Sequence, residues 1–465
     1  MPTQELRLTT TPATLLAAGD WRRPFVLDGS GCQSWGSGVA VFGHAPRATL
    51  RIAASGAAEC VVQGVPKRMS ADPLVLLQRF WEENVARRID DPGGPFAGGL
   101  IAALSYDLKH FVERLPDRAR DDQSLPVLEC GWYDWALLFD HRARAWRLTS
   151  SFLNEDELQA VGRTIAEAAC RPREAVPFVP LRVSSNFTRP GYVAAVRRAL
   201  EYIAAGDIYQ VNLAQRFAAA LPPSSATATS LFVELQRRHP MPFGAYLDCD
   251  DFVVVSNSPE CFLRLMPESI ATFPIKGTGP RGDDPDSDAA HAEALRLSPK
   301  DAAEHVMIVD LERNDLGRVC EPGSVAVGSF ASVQSYPTLH HLVSEVHGRL
   351  RRGASLREIL RATFPGGSIT GAPKIRAMEI IDELEPVRRG FYTGAIGFVD
   401  AGGTGMFNIA IRTAIAGAGR LTYHAGGAIV ADSDPDAEYE ETLLKARAFL
   451  EACGASGAED RLRHG

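Results

Sequence analysis

The chain is expected to fold as α+β, with large, mainly antiparallel sheets. Two observations predict this. Strand-like and helix-like stretches follow one another in mixed order, without the strand–helix–strand alternation that a doubly wound parallel sheet requires. The first third also holds short apolar segments bounded by turn residues, such as GGLIAALSYDL (Gly98–Leu108) and YDWALLFDH (Tyr133–His141), which read as strands.

Along the chain, a Pro- and Ser-containing stretch, Arg171–Pro190, separates an N-terminal region (1–175) from a region (180–453) of longer helical patterns interleaved with strands. Tyr192–Ala205 has helical spacing, and Asp207–Phe217 reads as a strand. The last residues, 454–465, are expected to fray.

Apolar residues make up 45% of the 465, enough for a substantial core, and the formal charge is −8. No basic stripe or polybasic run appears, which argues against a nucleic-acid partner. No signal-peptide pattern opens the chain and no apolar run approaches the length needed to cross a bilayer, so a cytoplasmic protein without a membrane partner is expected. The eight cysteines are scattered without a C-x-x-C pair and read as reduced, mostly buried thiols.

Two glycine patterns mislead. Gly277–Gly282 (GTGPRG) satisfies G-x-G-x-x-G, but Pro280 interrupts it and the turn-like DDPDSD follows. Phe364–Lys374 (FPGGSITGAPK) has P-loop spacing but Ala372 and Pro373 where Lys and Ser/Thr are needed. No cysteine stands in a G-x-C-x-G turn, so any use of glutamine nitrogen requires a second chain to release it.

The C-terminal segment AGGAIVADSDPDAEYEETLLKARAFL starts a helix at Asp434-Pro435. Glu438 and Glu441 then lie at i, i+3, with Lys445 one turn on. Two convergent carboxylates suit a hard cation, although a solvated Glu/Lys face has the same spacing. Asp301 and Glu304, in SPKDAAEHVMIVDLERNDLGRV, form a second pair near a helix start, where Ser298 and Asp301 fit a capping box. Together the pairs suggest a Mg2+ site.

Lys276 ends an apolar run before a glycine turn, at an expected strand tip, and becomes nucleophilic if burial or a nearby cation removes its proton. Glu260 follows the run VVVSNSP; a carboxyl group in apolar surroundings stays protonated and serves as a general acid, whereas a salt bridge is the plain alternative. Arg412, in NIAIRTAI, reads as lying within an apolar strand and therefore needs an anionic partner, either a substrate carboxylate or a structural Asp. Gly426 and Gly427 would let backbone N–H groups approach that carboxylate.

Taken together, GDIYQVNLAQRF, SNSPECFL, FPIKGTGPRG, AEHVMIVDLERNDLGRV, FPGGSITGAPKIRAMEIIDELEP, GAIGFVD and AGGAIVADSDPDAEYEET resemble the chorismate-binding enzyme family, densely over Phe187–Cys453. Its members include anthranilate, isochorismate, salicylate and aminodeoxychorismate synthases. The resemblance implies the anthranilate-synthase-like fold: two large sheets sandwiched together with helices outside. It implies Mg2+ held directly by Glu304 and Glu441, with Asp301 and Glu438 in support. It implies that Tyr392, Arg412, Gly426 and Lys445 hold the carboxylates of chorismate, and that His341 and Thr278, with Gln210 and Gly427, line the pocket.

Two positions sort the family. Water-adding members carry a lysine base where this chain has Gln210. Anthranilate synthases carry alanine where it has Lys276, and the aminodeoxychorismate branch carries lysine. The implied chemistry is amination of chorismate at C4, with Lys276 as covalent nucleophile at C2, Glu260 as acid, and ammonia from a glutamine amidotransferase subunit. Amination at C2 is the alternative. A non-catalytic amino-acid sensor fits poorly with intact Lys276, Glu260 and both acidic pairs, and tryptophan binding near Leu27–Ser30 stays open.

Overall fold

The computed structural model describes residues 2–29, 35, 38–89, 96–171, 181–221, 226–336 and 339–455. Among the described residues two sheets of twelve strands form the body, and every ladder between their strands is antiparallel. The N-terminal region and the rest of the chain share both sheets, each contributing a block of adjacent strands. In the first sheet Phe25–Asp28 pairs with Phe243–Asp248. In the second, Gly99–Leu104 pairs with Ala395–Asp400. Both GGLIAALSYDL and YDWALLFDH supply strands, Gly99–Leu104 and Ala136–Asp140.

Side-chain alternation explains the layering. Phe25, Leu27, Val254 and Ile415 of the first sheet meet Ile101, Ala103, Ile396 and Phe398 of the second in one apolar cluster between the sheets. Their neighbours Val26, Leu100 and Ala102 point the other way and pack beneath helices. Both faces are therefore buried, which is why these strands read as continuous apolar runs.

Helices Arg189–Ala204 and Pro435–Ala452 pack on the first sheet and Pro299–Gly317 on the second. The expected strand after Asp207 starts three residues later, at Gln210, and runs to Ala220. The tail begins with an ordered cap: Gly454 has φ 63° and the Ala455 N–H donates to the Leu450 carbonyl at 2.9 Å. Residues 456–465 and Ser30 of the Leu27–Ser30 loop lie outside the described residues. Six of the seven described cysteines are buried and none is in a disulfide. Among the described residues no helix is long and apolar enough to cross a membrane.

Two crossings between the sheets matter for the site. The chain leaves the first sheet at Ser258 and joins the second at Cys261, with Pro259 and Glu260 between. It returns from the second sheet at Ile409 to the first at Thr413. The crossings lie side by side: the Ser258 hydroxyl donates to the Ile409 carbonyl at 2.6 Å, and the Ile409 N–H donates to the Glu260 carbonyl at 3.0 Å.

Candidate active site

Glu260 occupies the first crossing and is only 4% exposed. Its Oε1 accepts from the Ser368 hydroxyl at 2.6 Å and, more weakly, from the Ile275 N–H at 3.5 Å. Burial pushes this carboxyl up to about 7, against the opposing effects of Ser368, the Lys276 charge and Ile275. It is thus poised to be protonated near neutral pH.

Arg412 occupies the second crossing. The expected single strand NIAIRTAI is broken: Gly405–Ile409 belongs to one sheet and Thr413–Gly417 to the other. Periodicity could not reveal this, because both pieces are apolar and only tertiary pairing separates them. Arg412 adopts φ 51°, its carbonyl accepts from the Asn257 N–H at 2.9 Å, and its side chain is half-buried. Among the described residues its guanidinium makes no hydrogen bond or ion pair with protein groups.

Lys276 is not at a strand tip. The strand continues from Ile275 to Pro280, and the register against Leu339–Arg349 slips between Lys276 (opposite Leu342) and Thr278 (opposite His341). Gly277, at φ 79°, is the extra residue of this bulge, a conformation that suits glycine. Such bulges re-aim neighbouring side chains. Burial lowers the proton affinity of the half-buried Lys276 amine, opposed by Glu304 and Glu260, aided by Lys445 and opposed again by Glu441. The lysine therefore lies within electrostatic reach of Glu260 and of one glutamate from each acidic helix. Beside it, Thr278 Oγ1 and His341 Nδ1 are 3.0 Å apart. Burial, and then the Arg412 charge, hold His341 down to about 4, so it is neutral at pH 7.

The C-terminal helix begins as expected, with Asp434 as cap accepting from the Ala437 N–H at 2.8 Å and Pro435 in the first turn. Glu438 is 6% exposed and accepts from the Ser433 hydroxyl at 2.7 Å. Lys445 pairs with Glu441 at 2.6 Å and donates to the Gly426 carbonyl at 3.0 Å. A methyl group placed on Gly427 would lie 2.9 Å from Glu438 Oε2 and 3.3 Å from Glu441 Oε1, so the two carboxylates converge over that glycine. Gly426 is required for another reason, since its methyl would sit 2.4 Å from the Leu213 carbonyl in the adjacent strand. Strand Arg420–Ile429 is paired with Gln210–Ala220 throughout its length, but with Thr413–Gly417 only as far as Tyr423.

On the other acidic helix only half of the expected capping box forms: Ser298 accepts from the Asp301 N–H at 3.3 Å, without the reciprocal bond. The Asp301 carboxyl instead lies against the bulge, its Cγ 3.2 Å from a methyl placed on Gly277. Glu304 is half-buried one turn further on. Asp301, Glu304, Glu438 and Glu441 offer only oxygen donors, the chemistry that could hold Mg2+, a cation that usually takes one or two carboxylates and completes its shell with water and substrate. Among the described residues the group of three potential ligands gathered within 4.8 Å is elsewhere, at His110, Asp117 and Asp382, and there Asp117 is already paired with Arg388.

Gln210 is fully buried, and neither atom of its amide has a hydrogen-bond partner among the described residues. Its backbone pairs with Ala372, at the end of the segment that carries Ser368. Tyr392 stacks on His424 at 5.1 Å, and the neighbouring Thr393 N–H donates to the Ala410 carbonyl at the second crossing. Neither Gln210 nor Tyr392 hydrogen-bonds to the other candidates through its side chain. Ser368 was not singled out by sequence: the segment read as a false P-loop delivers it to Glu260 across 108 residues, and only the fold reveals that approach.

A site of this composition at paired sheet crossings defines a class. The chain matches the chorismate binding enzyme family model over residues 37–451, and it belongs to that family. Among characterised relatives, it is 45% identical over 381 residues to "Aminodeoxychorismate synthase component 1" of Klebsiella aerogenes, covering 82% of this chain and 83% of that one. It is 40% identical over 388 residues to "Anthranilate synthase component 1" of Thermus thermophilus, covering 82% of each. The crystal structure of anthranilate synthase component I from Streptococcus pneumoniae matches with a TM-score of 0.79 at 29% identity, over 89% of this chain and 92% of that one. The expected fold and the expected place in the aminodeoxychorismate branch of the family agree with these comparisons.

Proposed function

We propose that this chain aminates chorismate at C4, giving 4-amino-4-deoxychorismate, with ammonia released by a glutaminase subunit. The observation that carries the reading is Lys276: a half-buried amine aimed by a glycine bulge, with reduced proton affinity, in reach of a buried acid that titrates near neutrality. Relatives named for either amination match the chain, so this side chain favours C4 over C2. The relatives' names as component 1 support a second component.

In this reading Arg412, whose guanidinium has no counter-ion among the described residues, binds a substrate carboxylate, together with Lys445 and the open strand edge at Gly426 and Gly427. Gln210, Thr278, neutral His341 and Tyr392 line the ring site. Glu304 and Glu441, supported by Asp301 and Glu438, would hold Mg2+, which when bound neutralises a substrate carboxylate and withdraws electron density from the ring.

Lys276 Nζ, deprotonated, forms a bond to C2 while the ring double bonds shift and the C4–O bond breaks. Glu260 gives its proton to the departing hydroxyl, which leaves as water. Ammonia then bonds to C4, the double bonds shift back, and the C2–Nζ bond breaks. Glu260, now a carboxylate, takes the surplus proton from the incoming nitrogen and is ready for another cycle. With C2 occupied by lysine, nitrogen is directed to C4.

The test is incubation with chorismate, Mg2+ and an ammonium salt, with and without an added aminodeoxychorismate lyase. 4-Aminobenzoate that appears only with the lyase supports the reading. Fluorescent anthranilate as the main product overturns it in favour of amination at C2.

A further inference from the structure

The helix that carries Asp301 and Glu304 holds another carboxyl group that the chemistry above does not use. Glu312 lies eight residues beyond Glu304, about 12 Å along the axis, on the face where Ile308, Asp315 and Leu316 are also buried. It is 2% exposed. Placing a carboxyl there costs desolvation energy, so its partners show what it does.

Glu312 Oε1 accepts from the Gly367 N–H at 3.0 Å, and Oε2 has no hydrogen-bond partner among the described residues. Gly367 opens the short turn Gly367–Ile369. The next residue, Ser368, donates its hydroxyl to Glu260 at 2.6 Å. A methyl on Gly367 would fall 2.7 Å from Leu311 and 3.1 Å from Glu312 Oε1, so turn and helix are packed too closely for the turn to shift towards the helix. Beneath them Asp315 pairs with Lys374, which also donates to the Thr363 carbonyl at 3.4 Å and ties the same helix to helix Lys374–Leu384. One unbroken chain of contacts therefore runs from Glu312 through one peptide unit and one hydroxyl to the acid.

We propose that Glu312 is a positioning residue for the general acid: by accepting the Gly367 N–H it fixes the turn that delivers the Ser368 hydroxyl to Glu260. The function is geometric. Both donors to Glu260, Ser368 and Ile275, converge on Oε1, which fixes the plane of the carboxyl group and hence the direction in which the proton is presented. Loss of the acceptor orphans a buried N–H, which then turns to find another partner and takes Ser368 with it.

The inference rests on the acid role proposed for Glu260, and the experiment separates the two. Glu312→Gln retains an acceptor oxygen for Gly367, whereas Glu312→Leu removes it. Each is made in the full chain, alone and combined with Glu260→Gln, and assayed with chorismate and ammonium salt. Glu312→Leu should lower kcat roughly tenfold to a hundredfold, with KM for chorismate changed by less than about twofold. Glu312→Gln should restore most of kcat. In the Glu260→Gln background, Glu312→Leu should cost nothing further. An equal loss in both backgrounds, or a Leu variant with full kcat, overturns the inference. If Glu312→Leu does not fold, the Gln variant decides: loss of kcat there, with secondary structure and thermal midpoint retained, also overturns it. Full activity of Glu260→Gln by itself would instead overturn the acid role, whatever Glu312 does.

Discussion

Substitution of Gly427 by alanine should weaken Mg2+ binding without unfolding the protein. The new methyl would stand 2.9 Å from Glu438 Oε2 and 3.3 Å from Glu441 Oε1. Comfortable carbon–oxygen separation requires the Glu438 carboxyl to retreat by ~0.5 Å. That group is not free to swing away, since it is buried and its other oxygen accepts from Ser433 at 2.7 Å. Metal sites tolerate ligand displacements of about 0.2 Å, so the shift is large on that scale. Displacing a supporting group typically costs about tenfold to a hundredfold in metal affinity. The assay is the Mg2+ concentration giving half-maximal rate at saturating chorismate, checked by calorimetric titration of the metal. Gly426→Ala is the contrast: its methyl would lie 2.4 Å from a backbone carbonyl that cannot move without breaking the ladder, so it should lower the unfolding midpoint. An unchanged Mg2+ midpoint in a folded Gly427→Ala would refute the assignment of this carboxylate pair to the metal.

Three further outcomes follow from the same geometry. Lys276→Ala should lose most 4-aminodeoxychorismate formation and shift the remaining activity towards anthranilate, read by fluorescence; a full rate of the C4 product would show that no covalent step occurs. Arg412→Gln should raise KM for chorismate about tenfold to a hundredfold, the worth of a charge-assisted hydrogen bond, and leave the unfolding midpoint nearly unchanged because the guanidinium has no partner to lose among the described residues; a large fall in stability with normal KM would contradict this. Glu260 is held at about 7 against an ordinary value of 4.5, so the native state binds its proton more tightly than the unfolded chain. Its contribution is fully present below about pH 4.5 and is lost as pH rises through about 7, in total about 3 kcal/mol. Glu260→Gln should remove that part of the pH dependence in denaturant titrations at pH 5 and pH 8, and identical slopes with pH in both proteins would count against a buried, proton-holding Glu260.

Local chemistry made much of this site legible. Asp434 and Pro435 start the C-terminal helix because capping depends on the residue and its immediate successors. Residues at i, i+3 on a helix share a face, so Glu438 with Glu441 and Asp301 with Glu304 could be paired without coordinates. Lys276, Glu260 and Arg412 stood out because polar groups beside apolar runs need a reason. The antiparallel α+β class followed from the mixed order of elements.

What the sequence alone did not contain is contact between residues far apart along it. It could not divide NIAIRTAI between two sheets or set Glu260 and Arg412 on neighbouring crossings, because period-two patterning reports burial and says nothing of which sheet buries a strand. It placed Lys276 at a strand tip, whereas pairing with Leu339–Arg349 makes a bulge at Gly277 that a lone strand does not have. Ser368 and Glu312 looked like a loop hydroxyl and a helix acid, and their link to Glu260 exists only because packing closes gaps of 108 and 55 residues. Sequence determined the residue types and local geometry available for the chemistry, and the tertiary fold decided which of them meet.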